Sequence, residues 1–425
     1  MYVAPRGTID ILPKDWPYWR YLREKIVQVA ALFDYHRIDV PIFEDTSLYV
    51  RGVGEGTDIV DKEMYSFLDK GGRDITLRPE FTAGIVRAYL QHGMKTLPQP
   101  VKVFTIGPIF RYERVQAGRY RQHTQFDIEC IGSLDPAVDL EVMSVAWQLY
   151  SSLGFENLSF QLNSTGCPKC RPQYIERLVA YYAQHEGDIC DDCKRRLVRN
   201  PLRLLDCKVA TCQPIIAQAP HIRDYLCSDC EAHFDTLLTY MDALQRPYTI
   251  NHRLVRGLDY YTKTVFEVWA QGIGAQNAVC GGGRYDGLAE ILGGDPTPGI
   301  GFGSGMERLV LTMKEQGIQV PGIPSPQVVL IYRGKGTKVR VLQLLDDLRQ
   351  AGIRAIMGFG DRSFKSQLRG ANRVKALYAL ILGEDEMNTG QIVLQDMQGD
   401  SPRETVSQAE IVNILKTALF EQKHE

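Results

Sequence analysis

Arg256 is followed by Gly257, then Asp259-Tyr-Tyr261, and the alternating run Thr264 to Trp269 comes straight after. A cation in a glycine-containing turn, beside two phenols and braced by a strand, suits an anionic group joined to an aromatic one. Gly281-Gly-Gly-Arg-Tyr-Asp-Gly287 follows a short distance on. Three further constellations lie far away in the chain. In Phe110-Arg-Tyr-Glu-Arg114, an Arg and a Glu two apart on a strand face the same side. Arg111 could clamp a phosphate and Glu113 accept from an exocyclic amine, or the two could form a surface ion pair. In Met306-Glu-Arg308, after the run Gly299-Ile-Gly-Phe-Gly-Ser-Gly305, Arg308 could hold a second phosphate or be a solvated residue after a tight turn. In Thr76-Leu-Arg-Pro-Glu80, with Thr82 beyond, Pro79 holds a carboxylate where an ammonium could meet it, or the segment simply starts a helix.

The cysteines make a separate set. Cys167-Pro-Lys-Cys170 and Cys190-Asp-Asp-Cys193 are knuckles with 19 residues between them, and Cys207, Cys212, Cys227 and Cys230 follow. Sequence order groups the first four as one structural Zn²⁺ site and the last four, with a looser first knuckle, as a second. Reduced thiols holding no metal are the alternative. Four thiolates would close the coordination shell, so a catalytic zinc is not expected. Cys130 and Cys280 sit in apolar strand patterns and read as core thiols. His123 reads as a solvated loop histidine.

The elements that must position these residues follow from periodicity. Residues 15–34 read as an amphipathic helix with Leu22, Ile26, Val29 and Phe33 on one face. Residues 101–106 and 125–131 read as strands joined by a charged loop. The segment 164–250, Cys-rich and partly basic, with helical spacing at 173–184 and 231–244, looks like an insertion in a catalytic body spanning 1–320. Pro321-Gly-Ile-Pro-Ser-Pro326 reads as a linker. Beyond it, 327–425 alternates strand 327–332, helix 338–350, strand 353–357, helix 363–373, strands 376–382 and 391–395, and helix 407–420, a compact α/β domain. With 425 residues, 44 % of them hydrophobic, a core for several domains is available. The net charge of −2 means that any nucleic-acid contact must come from local basic patches. Two such patches stand out: Lys194-Arg-Arg196 with Arg199, Arg203 and Lys208, and Arg333, Lys335, Lys338, Arg362, Lys365, Arg369 and Arg373. The first reads either as a solvated helix face or as a contact for phosphates. No apolar run reaches membrane-spanning length, and ten cysteines with no secretory leader point to a reducing, cytoplasmic setting.

Together, in this order and spacing, these segments resemble the histidyl-tRNA synthetases, class II aminoacyl-tRNA synthetases of the bacterial type. Pro5 to Pro13 is similar to the family's N-terminal segment; Pro41-Ile-Phe-Glu44 and Asp58 to Tyr65 to class II motif 1; Phe110 to Gly132 to motif 2; Gly299 to Leu309 to motif 3. Arg256 to Tyr261 and Gly281 to Asp286 resemble the two motifs peculiar to the histidine enzymes. The resemblance implies an α+β catalytic domain built on an antiparallel sheet with flanking helices, a C-terminal anticodon-binding domain and a homodimer. It implies activation of L-histidine by ATP with Mg²⁺, then transfer to tRNA(His). Arg111 would bind the ATP α-phosphate, Glu113 the adenine amine and Arg308 the γ-phosphate end. Arg256 would touch both the α-phosphate and the histidine carboxylate. Glu80, Thr82 and Gln125 would receive the ammonium, Glu129 and Tyr261 the imidazole, with Tyr260 and Tyr285 lining the pocket. The family as a whole does not call for zinc. Val115 stands where proline is expected, and Arg121-Gln-His-Thr-Gln125 departs from the usual loop pattern without removing an expected ligand. A regulatory paralogue that keeps the fold and a histidine pocket, and a tRNA-sensing module of a stress kinase, are disfavoured by the retained arginines 111, 256 and 308.

Overall fold

The computed structural model describes residues 1–420 apart from 55, 117, 271–277, 361 and 400–401. It divides into two units, Met1–Pro321 and Gly322–Glu425.

The first unit is built on an eight-stranded sheet. Its strands lie in the order His36–Arg37, Val101–Phe110, Gln122–Ile131, Gly299–Gly305, Ala278–Arg284, Thr262–Trp269, Ser159–Ser164, Tyr248–Ile250. Neighbours are antiparallel except for the pairs at the two edges. One face is closed by the helices Trp16–Leu32, Pro136–Ser152 and Met306–Glu315, whose apolar stripes meet the sheet around Leu22, Ile26, Leu149, Phe266, Phe302 and Leu309. Each such side chain, fully buried, contributes about 1.5–3 kcal/mol. Helix Pro136–Ser152 starts where it does because the Asp135 carboxylate accepts the Ala137 N–H at 2.9 Å and Pro136 fixes the first turn.

The other face of the sheet carries the site. Along Gly299–Gly305, glycine alternates with Ile300, Phe302 and Ser304, and those three point into the core. The opposite face therefore bears no side chains of its own. A Cβ on Gly301 would lie 1.9 Å from Glu129 Oε2, and one on Gly303 1.9 Å from Gln125 Nε2. The glycines thus leave room for polar side chains of the neighbouring strand to lie across this one.

A three-stranded sheet of Phe43–Asp45, Asp74–Leu77 and Tyr65–Leu68 stands beside the large one. Residues 164–250 form mainly helices, Arg171–Ala183, Asp191–Arg199 and Ser228–Ala243 among them. Helix Ser228–Ala243 is fastened to the sheet by a fully buried network. There Asp139 accepts from His233 Nε2 at 2.6 Å and Thr264 Oγ1 at 2.7 Å, and Arg284 Nε lies 2.6 Å from it.

In the second unit, parallel strands Ala355–Met357, Val328–Tyr332 and Tyr378–Leu382 continue into antiparallel Gln391–Asp396 and Glu404–Ser407. The helix expected over 407–420 begins only at Ile411. The β-branched pair Thr405-Val406 extends the sheet edge instead. The short helix Glu384–Thr389 was not anticipated.

Candidate active site

A cavity of about 750 Å³ opens over the glycine face of the sheet. Glu80, Thr82, Arg111, Glu113, Gln125, Arg256, Tyr260, Tyr261, Tyr285 and Arg308 all line it, although they come from segments more than 200 residues apart. Glu129 lies just beneath, 1 % exposed.

One end of the cavity is acidic and aromatic. Glu129 accepts from Thr82 Oγ1 at 2.6 Å through one oxygen and from the Tyr285 hydroxyl at 2.6 Å through the other. Burial, incompletely offset by these bonds, pushes its carboxyl up to about 8. Tyr260 packs on both Tyr261 and Tyr285, with centroids 4.8 and 5.9 Å apart. Glu80 accepts the backbone N–H of Thr82 at 2.7 Å and of Ala83 at 2.9 Å, so it caps helix Thr82–Gln91. The helix-start reading of this segment is thereby met, while the Tyr260 hydroxyl reaches Glu80 at 3.4 Å from the cavity side.

Asp127, missed in the sequence, belongs to the same group. Its Oδ1 accepts from Gln125 Nε2 at 2.9 Å, its buried Oδ2 has no partner among the described residues, and burial followed by the charges of Glu129 and Glu80 holds its carboxyl well above the ordinary range. The signal was present. Gln125, Asp127 and Glu129 alternate on one strand face, and a polar residue at every second position of a buried strand marks a site.

The other end is basic. The Arg256 guanidinium lies flat on Gly281, where any Cβ would sit 2.4 Å from Nη1, and pairs with Glu267 at 2.7 Å. Arg308 enters from the first turn of helix Met306–Glu315 and donates to the Ala278 carbonyl at 2.9 Å. Arg111 donates to the Pro79 carbonyl at 2.7 Å and lies 3.8 Å from Glu113. These two are not on a strand, as had been expected. The strand ends at Phe110, and the chain turns where the Glu113 N–H donates to the Arg111 carbonyl at 2.8 Å. His123 is no solvated loop residue either. It sits on strand Gln122–Ile131, its Nδ1 3.2 Å from the Tyr120 carbonyl, and burial with Arg111 nearby depresses it to about 4. It is neutral at physiological pH. A carboxylate-rich pocket joined to an arginine-rich one can hold a cationic amino acid against a polyphosphate.

The family model for histidyl-tRNA synthetase matches residues 7–169 and 209–309, and one for an anticodon binding domain matches 327–418. A histidine–tRNA ligase of Dehalococcoides mccartyi is 54 % identical over 94 % of this chain and 95 % of its own. One of Desulforamulus reducens is 49 % identical over 97 % and 98 %. The apo histidyl-tRNA synthetase of S. aureus superposes with a TM-score of 0.81 at 37 % identity, covering 98 % of this chain and all of that one. The chain belongs to the histidyl-tRNA synthetase family. Its first unit is therefore a class II synthetase catalytic domain and its second an anticodon-binding domain of this family.

The stretch that the synthetase model leaves unmatched, 170–208, carries Cys170, Cys190, Cys193 and Cys207. Here the structure overturns the sequence-order grouping. Cys167 and Cys170 meet Cys227 and Cys230, while Cys190 and Cys193 meet Cys207 and Cys212. The sulfurs of each group all lie within 4.8 Å of one another. Contacting pairs are 3.7, 3.8 and 3.9 Å apart in the first group and 3.8 and 4.0 Å in the second. A tetrahedron of Zn–S bonds of about 2.3 Å has edges of roughly 3.8 Å, so both groups have the size of a zinc thiolate shell. Cys130 and Cys280 are buried apart from them.

The basic patch of the insertion is not simply solvated. Arg196 and Arg203 reach Asp58 at 3.4 and 3.5 Å, and Arg199 reaches Asp61 at 3.5 Å, so it braces the motif 1 segment. In the second unit, Arg333, Lys335, Lys338, Arg362, Lys365, Arg369 and Arg373 are all exposed.

Proposed function

We propose that the protein is a histidine–tRNA ligase whose acidic end selects histidine and whose basic end binds ATP. The observation that carries this reading is the single cavity in which Glu80 and Asp127, with Glu129 just beneath, face Arg111, Arg256 and Arg308. Relatives of the same name along nearly the whole chain support it. The histidine ammonium goes to Glu80, Thr82 and Gln125, with the unpartnered Asp127 oxygen beside them. The imidazole goes to Glu129 and Tyr261, between Tyr260 and Tyr285. Rejection of ring isosteres then follows, because buried hydrogen-bonding groups would be left unpaired. Glu113 takes the adenine amine, Arg111 the α-phosphate and Arg308 the γ-phosphate.

Arg256 is the catalytic residue of this reading, together with Arg111. A carboxylate oxygen of histidine attacks the α-phosphorus, the bond to the bridging oxygen breaks, and pyrophosphate leaves. Charge gathers on the α-phosphate oxygens, where a planar guanidinium already fixed on Gly281 stabilises it without reorganising. The 3′-terminal ribose hydroxyl of tRNA(His) then attacks the acyl carbon and releases AMP. Bound with ATP, Mg²⁺ would supply charge neutralisation on the phosphates, and Glu267, which pairs with Arg256 on the cavity wall, is the carboxylate that would help to hold it.

The wider reading places the catalytic domain at 1–320, interrupted by the insertion 164–250, a linker at 321–326, and the tRNA anticodon at 327–425. Each Cys₄ group holds a structural Zn²⁺. Exposed Ile42, Phe43, Phe67 and Leu68 on the small sheet support a homodimer through motif 1. Unoxidised cysteine clusters suit the cytoplasm, and among the described residues no helix is long and apolar enough to cross a membrane. Histidine-dependent exchange of pyrophosphate into ATP tests the reading. Robust exchange with histidine and Mg²⁺ is expected, and its absence would sink the assignment.

A further inference from the structure

We infer that Arg171 is a positioning residue for the histidine end of the cavity, held in place by the metal site of Cys167, Cys170, Cys227 and Cys230. The inference rests on the proposed roles of Tyr261 toward histidine and of zinc in the cysteine groups.

Arg171 is the first residue of helix Arg171–Ala183, directly after a metal ligand. The knuckle sets its backbone, because the N–H groups of Cys170 and Arg171 both donate to the Cys167 carbonyl, at 3.1 and 2.9 Å. Its guanidinium turns away from the helix. Nε donates to the Thr165 carbonyl at 2.8 Å, Nη2 to Thr165 Oγ1 at 3.2 Å, and Nη2 also makes a short contact with the carbonyl of Tyr261. Thr165 Oγ1 donates to that same carbonyl at 3.3 Å. One planar cation thus ties the metal loop to the main chain of the residue assigned to the imidazole.

The Tyr261 segment needs such a tie. Lys263, two residues on, has φ +48°, a left-handed conformation that a non-glycine residue keeps only where its surroundings impose it. What imposes it is the metal loop. The Lys263 N–H donates to the Gly166 carbonyl at 2.8 Å, and the Lys263 carbonyl accepts the Thr165 N–H at 2.8 Å. The strand pairing shifts register opposite this point, between Gly283 and Arg284. On the pocket side there is no slack, because a Cβ on Gly283 would sit 2.9 Å from the Tyr261 ring. A change in how the 165–171 loop is held therefore passes into where Tyr261 stands, whereas Arg111, Glu113 and Arg308 sit on other segments.

The test is pyrophosphate exchange by the full-length protein with Arg171→Met, Arg171→Lys and Thr165→Val, alongside zinc content and thermal unfolding. Arg171→Met should raise KM for histidine roughly tenfold or more while KM for ATP stays within about twofold. Zinc content should stay at that of the unaltered protein. Arg171→Lys should recover part of the loss, since a point charge can serve one acceptor but not the whole fork. Thr165→Val, which keeps the shape and drops the hydroxyl, should shift histidine KM the same way by less. Protein stripped of zinc by a chelator should show the same histidine-selective loss. Unchanged histidine KM in all three variants, or histidine and ATP KM rising together with falling stability, would overturn the positioning role. Zinc-free protein with normal histidine KM would overturn the part played by the metal. Failure of the underlying assignment would show separately, as no histidine-dependent exchange in the unaltered protein.

Discussion

The two ends of the cavity are built on opposite plans. At the acidic end, Glu80, Asp127 and Glu129 are buried at 3 % exposure or less, on a strand and a helix start, with most of their oxygens already bonded. At the basic end, Arg111 and Arg308 lie at a strand exit and a helix start, and their guanidinium groups donate to the backbone carbonyls of Pro79 and Ala278. The difference matches the roles proposed for the two ends. A small amino acid is told from its isosteres by hydrogen bonds that are costly to leave unmade. A polyphosphate needs charge at the right places more than a tight wall. Arg256 stands where the plans meet, rigid like the acidic end and cationic like the other.

The comparison breaks most directly at Arg256. Arg256→Lys keeps the charge and loses the planar fork seated on Gly281. We expect kcat for pyrophosphate exchange to fall by roughly 10²–10³-fold, with histidine KM changing far less. Steady-state exchange kinetics at saturating ATP decide it. Equal losses in kcat and in histidine binding would mean that Arg256 serves the ground state alone.

Glu129→Gln probes the acidic end. The amide keeps the shape and the acceptor toward Tyr285 but cannot take up negative charge beside an imidazole. Histidine KM should rise about ten- to hundredfold while ATP KM holds. Matched shifts in both constants would show that the two ends are not independent.

The ends also differ in how far the sequence discloses them. Arginines beside glycines and carboxylates beside phenols are read from residue type, because the chemistry requires those types. The turn that brings Arg111 to Glu113, by contrast, depends on where a strand stops, and local propensity marks strand ends poorly. Glu80 could be read as ligand or cap, and only packing told that both its oxygens serve the helix. Sequence order failed outright for the cysteines. The sites are nested, the 190/193 and 207/212 knuckles lying inside the loop closed by 167/170 and 227/230. Which knuckles meet is decided by helices Arg171–Ala183 and Ser228–Ala243 returning to the same place, and spacing along the chain carries no information about that. His123 read as solvated because a polar loop was assumed to persist to residue 124, whereas the strand begins at Gln122.

The smallest expected effect concerns the cost of keeping the acidic end ready. Glu129 titrates near 4.5 in the unfolded chain and at about 8 when folded. A carboxyl with a raised folded value holds its proton better in the native state, so stability is greatest where it is protonated and falls as pH rises toward 8. His123, depressed to about 4, acts the other way, but only below its unfolded value of 6.5. Between pH 6.5 and 8 the carboxyl effect therefore stands alone of the two and amounts to about 2 kcal/mol. Unfolding of the unaltered protein should shift down by a few degrees across that window relative to Glu129→Gln, whose amide does not titrate. Histidine at saturation should shrink the shift, because an imidazole held against Glu129 favours the ionised form. Parallel pH profiles for the two proteins would mean that water or a neighbouring group already relieves the buried charge, and that the acidic end is no more strained than the basic one.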